Sequence, residues 1–168
     1  MTPRMFWIDG PWRGRLAISA RPRGGDWLED EVRGWCQAGV DTLVSLLEEG
    51  ETHELGLADE GRLARLNAIR FIPFPTPDRG VPPSWDTTAA LFRDLGRDLE
   101  SGKNVAVHCR QGIGRSSLIA AGALIAAGIE PESALRTVST ARGLPVPETP
   151  EQRRRVEKER AGHLVFAG

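Results

Sequence analysis

One short segment, His108-Cys109-Arg110-Gln111-Gly112-Ile113-Gly114-Arg115-Ser116, sets a nucleophile and an anion cradle side by side. The run Asn104-Val105-Ala106-Val107 before it reads as a short buried strand. The run from Ser117 to Leu124 after it reads as the start of a helix. Cys109 and Arg115 therefore close the two ends of one tight strand-to-helix loop. Gly112 and Gly114 let that loop curl so that several backbone N–H groups point inward. The helix N-terminus adds positive potential at the same place, which suits a tetrahedral oxyanion. The guanidinium of Arg115 can grip two phosphate oxygens in its fork, and Ser116 falls close enough to hydrogen-bond the sulfur. A cysteine beside a helix N-terminus and cations is favoured as the thiolate, the form that attacks phosphorus. His108 fits orienting this loop better than acting as a base, since a thiolate already formed needs none. A lone cysteine in a glycine-rich turn would instead read as a small packed hydrophobe.

Cleaving a phosphate ester also requires a proton for the leaving oxygen. Asp78 is the best candidate, within Pro75-Thr76-Pro77-Asp78-Arg79-Gly80-Val81-Pro82-Pro83. Four prolines and a glycine make a stiff loop with a hinge, able to bring a carboxyl over a substrate. General acid help contributes about 10²–10⁴-fold. The plain alternative is an Asp-Arg-Gly turn with a solvated carboxylate. Asp86 is the second candidate, although it belongs to the start of a helix capped by Ser84. Arg79 reads as exposed rather than as a substrate contact.

These residues resemble the signature of the cysteine-dependent protein tyrosine phosphatase superfamily: His-Cys, five residues, Arg, then Ser or Thr. Chain length and the acid loop are most similar to its small dual-specificity and kinase-associated members, whose acid loop reads Pro-x-x-Asp-x-Gly-x-Pro. The resemblance spans roughly residues 43–152. It implies a phosphocysteine intermediate on Cys109 and phosphate binding by Arg115 with the loop residues His108, Arg110, Gln111, Gly112, Ile113 and Gly114. It further implies that Ser116 stabilises the departing sulfur and that Asp78 protonates the leaving group. Many members carry Gln-Thr-x-x-Gln downstream, where the first Gln helps place the hydrolytic water. Here Glu148 stands in that position and Gln152 keeps the second. Thr149 and Gln152, with Pro150 between them, also make a good capping box, so cap and water-positioning remain alternative roles.

The resemblance implies a hydrolase of phosphate monoesters, with phosphotyrosine or dual-specificity protein substrates foremost. A catalytically weak phospho-binding module is the rival from another class. It has only Glu148 in its favour, because cysteine, arginine and acid are all present. A rhodanese-like sulfur transferase would have a shorter loop without the Arg-Ser ending. The chain contains no tyrosine, so the tyrosine-bearing recognition loop of classical members is not recognisable, and a shallow, permissive cleft is expected. Arg110 adds positive charge that suits polyanions such as inositol phosphates or nucleotide phosphates. The loop nevertheless lacks the lysines of the superfamily's lipid phosphatases.

Elements must hold these groups, and 168 residues suffice for one domain over 1–168 with a real core. Phe6-Trp7-Ile8 and Arg15 to Ser19 read as strands separated by a Gly10-Pro11 turn. A helix capped by Asp26 and Glu29 follows, with Leu28, Val32, Trp35 and Cys36 on its buried face. Thr42 to Leu47 and Ile69 to Phe74 read as further strands. Between them the acidic stretch Glu48–Glu60 reads as an outward loop with a helix toward Ala68. Ser84 caps a helix with an apolar face of Trp85, Ala89, Phe92, Leu95 and Leu99. Two or three helices follow the signature. Alternating strands and helices predict an α/β fold, a mostly parallel sheet covered on both faces, with the signature loop at a strand's carboxyl end.

Net charge of −1 gives no global pull toward nucleic acid or anionic membrane. Two cysteines make no disulfide framework, the N-terminus lacks a signal-peptide core, and the apolar run Leu118–Ile129 falls short of the roughly 20 residues of a span. A monomer in a reducing cytoplasm is expected, with a phosphorylated protein or small phosphate ester as its partner. Arg153 to Arg160 reads as a solvated, alternately charged helix face. His53 and His163 have no metal-like neighbours, and neither metal nor cofactor is expected.

Overall fold

The structure is a computed structural model that describes residues 2–156 apart from Pro83 and Glu148. Five short strands form one sheet: β1 Met5–Ile8, β2 Leu16–Ser19, β3 Thr42–Ser45, β4 Arg70–Pro73 and β5 Val105–His108. Their order is β1-β2-β5-β3-β4, with β1 antiparallel to β2 and the other neighbours parallel. The helices are α1 Leu28–Gln37, α2 Glu49–Glu54, α3 Glu60–Leu66, α4 Trp85–Glu100, α5 Gly114–Ala126 and α6 Pro131–Arg142. Residues 150–156 form a further helical segment.

Strand alternation divides the core. Val44, Val105 and Val107 pack into one apolar cluster with α4, α5 and α6. Leu43 and Ala106, one residue out of phase, pack into the other with Val32 and Trp35 of α1 and Ala64 of α3. The sheet is thus covered on both faces, which explains why β2, β3 and β5 are buried along their whole length. The central strand is β5, paired with β2 and β3. Its carboxyl end carries the signature loop.

Several local expectations differ from the structure. A 3₁₀ turn over Gly25–Trp27 leads into α1 with no side-chain cap, so the Asp26/Glu29 capping box does not form. Cys36 is exposed, its Sγ 3.5 Å from the Asn67 carbonyl, because α1 turns Val32 and Trp35 inward instead. The acidic stretch is not an outward loop: it holds α2, closed by a reciprocal Glu48–Glu51 capping box, and the start of α3. Ser84 does cap α4, accepting from the Thr87 N–H at 3.3 Å. Among the described residues no helix is long and apolar enough to cross a membrane.

Candidate active site

The chain turns sharply after β5. Cys109, 3 % exposed, follows the strand, and its Sγ accepts the Gly112 N–H at 3.2 Å. That contact needs Gly112 in the left-handed region at φ 70°, where a glycine costs little. A Cβ there would also press on the Ser19 carbonyl at 3.3 Å. Gly114 plays another part, as the first residue of α5. Arg115 and Ser116 therefore lie in the helix's first turn, where unpaired N–H groups and the dipole favour an anion.

Three loops from the carboxyl ends of parallel strands converge on Arg115. Its Nη1 donates to the Leu46 carbonyl beyond β3 at 3.3 Å and to the Thr76 carbonyl beyond β4 at 3.0 Å. Glu51 of α2 receives both arms of the fork, at 2.8 and 2.9 Å. Asp78 reaches Nη2 at 3.2 Å. Burial works against the Arg115 charge, but Glu51, the Cys109 sulfur and Asp78 outweigh it and hold the guanidinium above its ordinary pKa. Burial likewise tends to raise Glu51, yet the hydrogen bonds from Arg115 and the Glu48 backbone, with the charges of Arg115 and Arg110, bring it below the usual carboxylate value.

His108 is fully buried beneath the loop. Its Nε2 meets a carboxylate oxygen of Glu60, itself buried, and its Nδ1 lies 3.4 Å from the Cys109 carbonyl. Trp35 stacks on the ring at 5.7 Å between centroids and donates through Nε1 to Ser19 Oγ. These contacts hold the plane of the His108 ring.

A cavity of about 80 Å³ opens over this floor, lined by Asp78, Arg79, Cys109, Arg110, Gln111, Gly114 and Arg115. The expected nucleophile, acid and phosphate-binding arginine thus share one small cleft. Arg79 is exposed yet belongs to its wall. Arg110 pairs with Glu54 at 3.3 Å. Asp86 is exposed in the first turn of α4 and outside this wall. A larger apolar cavity of about 240 Å³ lies between α4 and α5, with Trp12, Trp85 and Phe92 in its wall, and among the described residues no cysteine, serine or threonine lines it.

One expected contact is not formed, and one of two alternatives for Gln152 is. Ser116 Oγ is buried with no hydrogen-bond partner among the described residues, so the expected bond to sulfur is not formed here. Gln152 does make the capping box, with its Oε1 accepting the Thr149 N–H and its own N–H donating to Thr149 Oγ1, both at 3.2 Å. Its Nε2 also donates to the Gly80 carbonyl at 3.0 Å, tying this helix to the acid loop. Glu148, His163 and residues 157–160 of the charged run lie outside the described residues.

Glu51 and Glu60 were not expected at the site. The Glu48-x-x-Glu51 capping pattern was one available signal. The other was electrostatic, since an arginine at the bottom of a cleft demands a carboxylate.

A five-stranded sheet carrying Cys109, a glycine-bent loop and a buried arginine at the head of α5 defines a member of the cysteine-dependent phosphatase superfamily. Over residues 3–161 the chain matches the family described as "Swiss Army Knife protein, DSP-PTPase phosphatase domain", PTP-SAK, and it belongs to that family. The match extends well beyond the 43–152 over which motifs are recognisable. Kinase associated phosphatase, solved with its catalytic cysteine replaced by serine, superposes with a TM-score of 0.87 at 18% identity, covering 98% of this chain and 97% of that one. The active form of Tk-PTP gives 0.78 at 26% identity over 95% and 97%. PTPMT1 in complex with PI(5)P gives 0.78 at 20% identity over 96% and 99%. No match is found among curated proteins.

Proposed function

We propose that this protein hydrolyses phosphate monoesters through a phosphocysteine on Cys109, with phosphotyrosine or dual-specificity protein substrates foremost. The supporting observation is the pairing of the Cys109 sulfur, bonded by the Gly112 N–H at 3.2 Å, with an Arg115 fork held rigid by Glu51 on the floor of the same cleft. In the first step the Cys109 sulfur attacks phosphorus as the ester P–O bond breaks. Asp78 gives its proton to the departing oxygen. Arg115 and the loop N–H groups bind the three equatorial oxygens more tightly as the group flattens. The arriving phosphate dianion replaces Asp78 as a partner of Arg115, which releases the carboxyl to meet the leaving group. In the second step water attacks phosphorus, the S–P bond breaks, and Asp78 accepts the water's proton. The buried Ser116 hydroxyl is assigned to the departing thiolate. The protein works as a single-domain monomer in a reducing cytoplasm, which keeps the thiol free.

A second substrate reading is a polyanion such as a phosphoinositide or a nucleotide phosphate. Arg79 and Arg110 beside Cys109 favour it. Turnover of an aryl phosphate, then of a phosphopeptide and phosphoinositide panel, ranks the two.

The mechanism is tested with Cys109→Ser. A folded variant should lose turnover while still binding phosphate ester, and rapid quenching of wild type should trap phosphate on sulfur. Substantial turnover by folded Cys109→Ser would overturn the mechanism.

A further inference from the structure

Arg142 lies at the C-terminal end of α6, on no motif and outside the residues lining the Cys109 cavity. Its Nε nonetheless donates to the carbonyl of Gly112 at 2.6 Å. The guanidinium rests on the Phe6 ring of β1, 4.1 Å from its centroid, with Arg4 over the same ring at 4.9 Å. The strand at the sheet's antiparallel edge therefore braces an arginine that grips the phosphate loop from behind.

Peptide geometry makes this contact directional. In a trans peptide the Gly112 carbonyl and the Ile113 N–H point opposite ways. A donor outside the cavity that fixes the carbonyl outward turns the Ile113 N–H toward the cavity side. Gly112 is the residue about which the loop can most easily change, because without a Cβ it crosses between backbone regions at little steric cost. An unclamped loop could rotate this peptide and present a carbonyl oxygen, the wrong dipole, to a phosphoryl group.

We propose that Arg142 is a positioning residue for the phosphate loop, holding the Gly112–Ile113 peptide so that its N–H serves the bound oxyanion. The inference rests on reading the Cys109 cavity as a phosphate site. Charge supports it as well as geometry. Burial and repulsion from Arg4 bring Arg142 below its ordinary pKa despite attraction to the Cys109 sulfur, and the still-charged guanidinium contributes to the field at the nucleophile.

The test uses the full chain with inorganic phosphate as probe. The readouts are competitive inhibition of aryl phosphate hydrolysis and the rates at which iodoacetate and iodoacetamide alkylate Cys109, followed by mass spectrometry to exclude Cys36. Arg142→Met should weaken phosphate inhibition about tenfold or more, the loss of one charge-assisted hydrogen bond. It should also raise KM in parallel and reduce the preference for the anionic reagent, which Arg115 in the cavity sustains in part. Arg142→Lys keeps the charge without the fork; it should restore the iodoacetate preference and only part of the phosphate affinity. A folded Arg142→Met with wild-type inhibition and reagent preference would overturn the proposal. Should Arg142→Met fail to fold, Phe6→Leu loosens the brace without touching the loop, and wild-type inhibition in both Phe6→Leu and Arg142→Lys would overturn it equally. A wild-type protein indifferent to phosphate would remove the cradle reading itself, and the clamp with it.

Discussion

Arg115 is only 2 % exposed yet carries a full positive charge, a state a protein sustains only when the guanidinium's donors are met. Glu51 takes two of them in parallel, and two backbone carbonyls take more. The fork is thus oriented before substrate arrives. Arg115→Lys keeps the charge but cannot grip two oxygens, so kcat should drop about 10²–10³-fold with the fold intact; near-normal kinetics would contradict bidentate binding. Glu51→Gln should lower both activity and stability, by about 3 kcal/mol in unfolding free energy, the low end for breaking a buried pair because the carbonyls and Asp78 remain. Asp78 is separable from both by its leaving-group dependence. Asp78→Asn should cripple hydrolysis of alkyl and phenyl phosphates, spare activated nitrophenyl esters, and remove the alkaline limb of the pH–rate profile. Equal losses on all substrates would reduce Asp78 to a turn residue. At this scale Cys109, Arg115 and Asp78 were legible because their motifs are contiguous in sequence. Glu51 and Glu60 were not, because each lies in a short helix far upstream, and only the folded strand order brings it under the loop.

Among the elements, the signature loop depends on neighbours whose bearing on it is not written in its own residues. Gly112 has the Cys109 sulfur on its N–H, Arg142 on its carbonyl and the Ser19 carbonyl packed where a side chain would begin. Gly112→Ala combines left-handed strain with a 3.3 Å approach, so the loop must shift. Phosphate binding should fail well before the protein unfolds, which a phosphate-dependent rise in Tm, present in wild type and lost in the variant, would show. The acid loop is tethered in the same way, by Arg115 at the Thr76 carbonyl and Asp78 and by the Gln152 bond to the Gly80 carbonyl. Hydrophobic periodicity made the elements themselves legible, all five strands and the α4 face among them, and the N-cap preference of serine made the Ser84 cap legible. It failed where polarity misled. Glu48–Glu60 reads as solvated by composition, and the burial of Glu60 comes from His108 rather than from any local pattern. Cys36 fell on an apolar stripe wider than the face that α1 buries.

At the scale of the molecule, carboxylates hold distant parts of the chain together, and their protonation sets an acid limit. Glu51 joins α2 to the head of α5, while Arg70 at the start of β4 joins Asp94 and Asp98 of α4. For Asp94, the hydrogen bonds from Arg70 outweigh partial burial and hold the carboxyl below its ordinary 3.8. Glu51 is held below its ordinary 4.5. In both cases the folded protein binds the proton less readily than the unfolded chain. Each carboxylate therefore contributes its full stabilisation above its ordinary value and loses it as pH falls through the depressed one. The arginine partners stay charged throughout. Stability should accordingly be insensitive to these pairs near neutrality and decline from about pH 4.5 downward as Glu51 and Asp94 take up protons. Glu51→Gln should start lower and follow a flatter curve across that window. Asp94→Asn should differ less, and less again in high salt, because its pair is partly solvated. Thermal melts of the three proteins from pH 3 to 7 at two ionic strengths decide it. A Glu51→Gln curve parallel to wild type through pH 4.5 would mean that the Arg115 pair is not among the groups whose protonation destabilises the fold.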